Sequence, residues 1–402
     1  MSRSVIVAAA RTAVGKFAGV SATVPAVDLG GRALAGALER AGLDGDAVDY
    51  VIMGHVIGAG TGQISARQAA LKAGIPEGVP ALTIDKVCLS GLNAIALADA
   101  LVRAGEVSCV VAGGMESMDQ APYLLPRGRA GYRMGDAEII DAMVYDGLRD
   151  PFSGKTMGQQ SDEVNRELGI SREEQDAWAA RSHQRAHAAQ QRGAFADEIV
   201  SLEIPGRKGS SLTFDADEGI RGDVTTESLA SLQPAFGPEG SITAGNASQI
   251  SNGGAAVVVT SAARAAELNL EPMAEIVAHG MSAERSPYLH TVPALALQAA
   301  LKKAGVSAND LDLIEINEAF AAVAVHSARM LLDATDSSEK VNVNGGAVAL
   351  GHPIGCTGAR LAVTLLHELS RRGGGLGGVT LCGGGGQGDA LIFEVAGGPG
   401  RD

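Results

Sequence analysis

Three residues, far apart in the chain and each set among glycines, carry its most conspicuous chemistry: Cys88 in VCLSGLNAIALADAL, His352 in GGAVALGHPIGCTGAR and Cys382 in LCGGGGQG. Cysteine with histidine points to nucleophilic catalysis. The thiolate is the attacking species, and a free thiol with a pKa of about 8.5 needs a base or a helix N-terminus to supply it near neutral pH. Cys88 precedes Ser90, Gly91 and an apolar helical run, so it is expected at a helix start whose dipole lowers its pKa. A buried cysteine packing as a small hydrophobe is the competing reading.

His352, between Gly351 and Pro353, is held off any helix face, as suits a general base; a structural histidine is the alternative. Cys382 ends an expected strand ahead of Gly383, Gly384, Gly385 and Gly386. Their unobstructed N–H groups suit an oxyanion hole and the cysteine suits a proton shuttle, while a flexible turn is the plainer reading. Asn317 closes the run LDLIEIN, where its amide either holds a water or carbonyl or caps the helix that follows. Cys109, in an apolar strand, and Cys356, in a loop, read as structural. His367 and Glu368 lack the spacing of a zinc HExxH motif, and no metal site is expected.

Positioning such residues takes a large scaffold. The 402 residues exceed the length at which one core keeps growing, so two or three packed subdomains are expected. Hydrophobic residues make up 46% but aromatics only 3%, which leaves Ala, Val, Leu and Ile to build the core. Runs such as VIVAAA, VDYVIMGHV, VSCVVAGG, AAVVVTS and GVTLCGG read as strands covered on both faces. Between them AVDLGGRALAGALERAG, GLNAIALADALVRAG, VPALALQAALKKAG and TGARLAVTLLHELSRRG read as helices ending at Gly. The alternation predicts an α/β architecture with largely parallel sheets.

A weak internal repeat sharpens this. Strand 49–56 parallels 312–320, the Cys88 loop parallels the His352 loop before a helix at 357–369, and VSCVVAGGMES parallels GVTLCGGGGQG. Both reactive loops then face one cleft between related halves. From about Met118 to Gln249 the chain turns polar, reading as an inserted subdomain whose Arg207, Lys208 and Arg221 are either partners for ligand phosphates or solvated surface charge.

The formal charge of −14 argues against a nucleic-acid or anionic-membrane surface as the main partner. Four cysteines in so long a chain do not make a disulfide framework, which points to a reducing cytoplasm. The N-terminal apolar run is too short for a signal peptide, and no stretch is read as a membrane span. No strand is followed by a proper GxGxxG, which argues against a dinucleotide-binding enzyme.

VCLSG, NEAF, GGAVALGHPIGCTGAR and CGGGGQG, with ARTAVGKF near the start and ITAGNAS in the middle, resemble the thiolase family over essentially the whole chain. GHPIG and PAFGPEGSITAGNAS are most similar to its biosynthetic, acetoacetyl-CoA-forming branch. The resemblance implies two βαβαβαββ halves in a five-layer αβαβα sandwich. The N-terminal half would be 1–118 plus 250–272, the loop domain for CoA binding and oligomerisation 119–249, the C-terminal half 273–396, and 397–402 a flexible tail. It implies a homotetramer built as a dimer of dimers, with acetyl-CoA, acetoacetyl-CoA and CoA as substrates and products and no further cofactor. Cys88 would take the acetyl group, His352 its proton, and Cys382 a methyl proton from a second acetyl-CoA. His352 with a water on Asn317 would serve one thioester oxygen, and the N–H groups of Cys88 and Gly384 the other. CoA would meet Ser248, Arg221 and Ser228, with Leu148, Met157, Phe236, Ala244, Ala319 and Phe320 along the pantetheine tunnel.

The chain departs from that branch where a histidine before Met157 is replaced by Thr156, and where YLHTVPAL brings in Leu289 and His290. Both places border the acyl pocket in the family. A degradative 3-ketoacyl-CoA thiolase is the alternative enzyme, and a non-catalytic acyl-CoA binder the alternative of another class.

Overall fold

The computed structural model describes residues 4–206, 209–333, 337 and 339–397. Arg207 and Lys208, and all but Gly397 of the expected tail, lie outside these residues.

Nine strands make one continuous mixed sheet. They are β1 (Ser4–Arg11), β2 (Tyr50–Gly54), β3 (Ala81–Ile84), β4 (Cys109–Ser117), β5 (Ser251–Ser261), β6 (Ala274–Ala283), β7 (Leu313–Ile316), β8 (Gly375–Gly383) and β9 (Gln387–Val395). The order is β7-β8-β9-β6-β1-β5-β4-β2-β3, and a two-residue strand, Gly15–Lys16, pairs beside β5. The sheet is two half-sheets joined at a narrow seam, where β1 meets β6 only at Val5↔Glu275 and Ile6↔Ala274.

The expectation of largely parallel sheets is corrected. Only β2–β3, β2–β4 and β7–β8 pair in parallel, and the other five neighbours along the path run antiparallel. The apolar runs misled because continuous hydrophobicity reports burial on both faces, and every residue of β4, which pairs antiparallel with β5 along its whole length, is buried as a parallel strand would be.

The longer helices among the described residues are α1 (Ala26–Ala41), α2 (Ser65–Lys72), α3 (Ser90–Ala104), α4 (Met157–Leu168), α5 (Arg172–Gln191), α6 (Val292–Ala304), α7 (Ala321–Leu331) and α8 (Ile354–Arg371), and all but α4 and α5 complete the layers. Leu92 and Ile95 of α3 and Leu361 and Leu365 of α8 form one core with Ile52 and Val110 on one half-sheet and Val379 and Phe393 on the other. These two helices therefore fill the middle layer. Being covered on both sides, α8 is buried almost all round rather than along one stripe. On the outer faces α1 and α2 cover the first half-sheet through Leu34, Ala37 and Ala69, while α6 and α7 cover the second through Leu297, Leu301 and Val325. The five layers α/β/α/β/α follow.

The stretch Val87–Ala104 is apolar enough by composition to cross a membrane, against the sequence reading that none is. Its place in the middle layer accounts for that hydrophobicity. Between β4 and β5 the inserted chain builds two short hairpins (Tyr123–Leu124 with Ile140–Asp141, Leu202–Pro205 with Ser211–Phe214), α4 and α5. It docks on the second half through Glu318, whose buried carboxylate accepts from Trp178 Nε1 at 2.8 Å and Ser182 Oγ at 2.7 Å.

Candidate active site

The two central helices begin side by side, and each is preceded by a reactive residue. Cys88 stands two residues ahead of α3 and His352 two ahead of α8. Their side chains meet: His352 Nε2 lies 3.2 Å from Cys88 Sγ. Cys382, near the end of β8, and Gly384, in the turn to β9, close the site from the second half-sheet.

The histidine's tautomer follows from its other contacts. Thr357 Oγ1 donates to the Pro353 carbonyl at 2.8 Å, so that oxygen is left to accept from His352 Nδ1–H at 2.6 Å. Nε2 is then the free lone pair, facing the thiol. Asn317 Nδ2 also reaches Nε2, at 3.4 Å, while Asn317 Oδ1 is buried without a protein partner. The capping alternative for Asn317 falls away, because α7 starts after Phe320 with no side-chain cap.

Burial decides the resting protonation. It pushes the Cys88 thiol up to about 12, although the N–H groups of Cys88 and Gly384 facing the sulfur pull the other way. This corrects the expected lowering: the helix start is present, but desolvation of a thiolate in an apolar site outweighs it. Burial, with Arg360 nearby, holds His352 down to about 3, and burial together with the neighbouring Cys88 raises Cys382 still further. The resting pair is a neutral thiol beside a neutral imidazole. Such a pair makes thiolate only as its proton moves onto Nε2.

These residues open into a cavity of about 320 Å³. Its walls include Leu148, Met157, Phe236, Ser248, Ala319 and Phe320, six of the nine positions expected along the CoA path. Phe236 and Phe320 pack edge to face, 6.1 Å between centroids. Arg221 and Ser228 do not line it, and neither does Ala244, which was expected in the tunnel wall; all three are exposed. Ser228 sits in a short helix, Thr226–Ala230, whose Leu229 lies against Gly245, and Arg221 lies against the buried His183 ring. Thr156 and Leu289 reach the cavity wall, but His290 does not: its Nε2 is 2.8 Å from Asn165 Oδ1.

Two residues of the site were not singled out from the sequence. Thr357 orients His352, and the cue was its position in the first turn of the helix after GHP. Glu116, fully buried, accepts from the N–H groups of Val56, Ile57 and Gly355 and pairs with His55, tying the first half to the start of α8. Cys356, read as a loop residue, lies in the first turn of α8.

A thiol, an imidazole and a second thiol at the floor of an apolar tunnel, on a duplicated α/β/α/β/α frame, define an acyl-transferring thiol enzyme. Comparison with known proteins is specific. Residues 4–263 match the thiolase N-terminal domain and 270–395 the thiolase C-terminal domain. The chain is similar to a protein of Mycolicibacterium smegmatis named "Probable acetyl-CoA acetyltransferase" (54% identity, 97% of this chain and 100% of that one). It is also similar to the acetyl-CoA acetyltransferase of Pseudomonas aeruginosa (50% identity, 98% and 99%). The crystal structure of the Bacillus anthracis acetyl-CoA acetyltransferase superposes with a TM-score of 0.95 at 43% identity, covering 98% of this chain and 99% of that one. The chain belongs to the thiolase family.

Proposed function

We propose that this protein is an acetyl-CoA C-acetyltransferase, condensing two acetyl-CoA into acetoacetyl-CoA and CoA and catalysing the reverse thiolysis. The convergence of Cys88, His352, Cys382 and Gly384 on one apolar cavity carries the reading. Cys88 gives its proton to His352 Nε2 as its sulfur attacks the thioester carbon. The oxyanion rests on the Cys88 and Gly384 N–H groups until the C–S bond to CoA breaks, and the departing CoA thiolate takes the proton of Cys382. That leaves acetyl-Cys88, an imidazolium and the Cys382 thiolate. The thiolate removes a methyl proton from a second acetyl-CoA, whose enolate oxygen is met by His352 and a water on Asn317. The carbanion attacks acetyl-Cys88, the new C–C bond forms, and the expelled Cys88 sulfur recovers its proton from His352. Losing one oxyanion donor in such a site typically costs on the order of 3 kcal/mol of barrier.

CoA itself supplies the reactive sulfur, and the reading needs no other cofactor. The wall residues Leu148, Met157, Phe236, Ser248, Ala319 and Phe320 suit the pantetheine, and the exposed Arg221 and Ser228 suit the nucleotide end. In this reading 119–249 is the loop domain and 1–118 plus 250–272 and 273–396 are the two halves. Exposed Tyr123, Leu125, Met134 and Ile139 on that loop segment support assembly through it, as in a homotetramer. Four free, buried cysteines support a reducing, cytoplasmic setting.

Thiolysis rates with acetoacetyl-CoA and longer 3-ketoacyl-CoA homologues, against Cys88→Ala, test the reading. A sharp preference for acetoacetyl-CoA, abolished in the variant, is expected. Equal activity on long chains would move the protein to the degradative class, and no activity on any would make it an acyl-CoA binder.

A further inference from the structure

The turn that presents Cys88 is strained. Val87, a β-branched residue, sits at φ +51°, a conformation such a side chain holds only when its surroundings enforce it. Part of the enforcement is local. Ser90 Oγ donates to the Val87 carbonyl at 2.6 Å and accepts from the Lys86 N–H at 2.8 Å, and the Val87 N–H donates to Asp85 Oδ1 at 3.0 Å.

A longer tether leaves the loop altogether. Lys86 Nζ donates to both carboxylate oxygens of Asp389, at 2.8 and 3.0 Å. Asp389 is fully buried and also receives Asn93 Nδ2 of α3 at 3.2 Å and faces His279 Nε2 of β6 at 3.3 Å. Its backbone pairs with Leu381, while the next rung of the ladder pairs Gly388 with Cys382. So the ion pair joins a residue two before one thiol to a residue one rung from the other.

We infer that Lys86 and Asp389 are positioning residues that fix the separation of Cys88 and Cys382 by holding the strained Val87 turn against the Cys382 hairpin. The inference rests on the two-thiol chemistry proposed above. His352 has separate supports: its N–H donates to Gln249 O at 3.0 Å, its ring rests on Thr357, and Glu116 holds Gly355. Losing the clamp should therefore harm steps that use both thiols far more than the Cys88–His352 step alone.

The test compares acetoacetyl-CoA thiolysis, which uses both thiols, with alkylation of Cys88 by iodoacetamide, which reads its activation by His352. Lys86→Met should lower thiolysis kcat about tenfold or more while Cys88 alkylation stays within about threefold, since sub-ångström misplacement weighs on the reacting pair. Lys86→Arg, which keeps a cation for the carboxylate, should recover most of the rate. Val87→Gly, which relieves the strain, should recover part of it in the Lys86→Met background. Asp389→Asn is the second variant if Lys86→Met does not fold. Parallel falls in both rates, no fall in either, or unfolding of both variants would overturn the inference. Thiolysis that survives Cys382→Ala would instead overturn the two-thiol chemistry beneath it.

Discussion

The two halves are built alike and equipped differently. Asp49 and Asp312 occupy matching places, each accepting an amide near the start of the parallel neighbouring strand, Cys109 of β4 and Leu376 of β8. Counting along those strands sets Gly54 against Asn317 and Met115 against Cys382, just as the Cys88 loop stands against the His352 loop. The second half thus carries an amide and a thiol where the first carries a glycine and a thioether. Space explains the asymmetry. A Cβ on Gly54 would sit 2.7 Å from the backbone of Gly355, Gly91 and Ser90, and one on Gly114 would sit 2.0 Å from the Gly355 carbonyl. The first half-sheet presses directly on the paired loops, braced by Glu116, while the second stands off and leaves the cavity. Duplication supplies two converging loops; unequal packing makes them serve one site.

Making the second half resemble the first should break the enzyme. Cys382→Met should lower thiolysis and condensation by about 10²–10⁴, the usual worth of a positioned proton-transfer group, measured as kcat with acetoacetyl-CoA. Asn317→Gly should lower kcat by about 10²–10³ with little change in KM, as for a lost oxyanion donor. The reverse swap, Gly54→Asn, should cost about 1–3 kcal/mol or more of stability by overpacking, read from denaturant unfolding; an unchanged midpoint would contradict the account of the asymmetry. Thr357→Val should lower kcat about fivefold to tenfold in a folded protein, because Nδ1–H loses its acceptor and the lone pair is no longer fixed toward Cys88.

The smallest effect separates the halves by pH. His290, His326, His352 and His367, all in the second half, are held below the ordinary value of 6.5, chiefly by burial, His290 and His352 down to about 3. Each binds its proton less readily when folded than when unfolded, so its contribution is whole above pH 6.5 and is lost as pH falls below it, down toward 3 for His290 and His352. Amides of the second half should lose hydrogen-exchange protection before those of the first between about pH 6 and pH 4.

Much of this was legible in the sequence because glycine and proline fix backbone. The frames around Cys88, His352 and Cys382 announced loops before helices and a turn after a strand, and the repeat announced that the loops converge. Strand direction was not legible, since β4 and β5 bury both faces whichever way they run. Neither was the resting state of Cys88: the helix start is written in LSGLNA, but the desolvation that outweighs it comes from distant chain. The clash that keeps Gly54 bare likewise depends on Gly355, three hundred residues away in sequence and in contact only once folded.

The account turns on Cys88 being the residue that carries the acyl group. Incubating the protein with acetyl-CoA, quenching in acid and mapping the modified peptide by mass spectrometry tests this directly. A single acetyl group on Cys88, lost on addition of CoA, is the predicted result; acetyl on Cys382, Cys356 or Cys109, or on no cysteine, would contradict it.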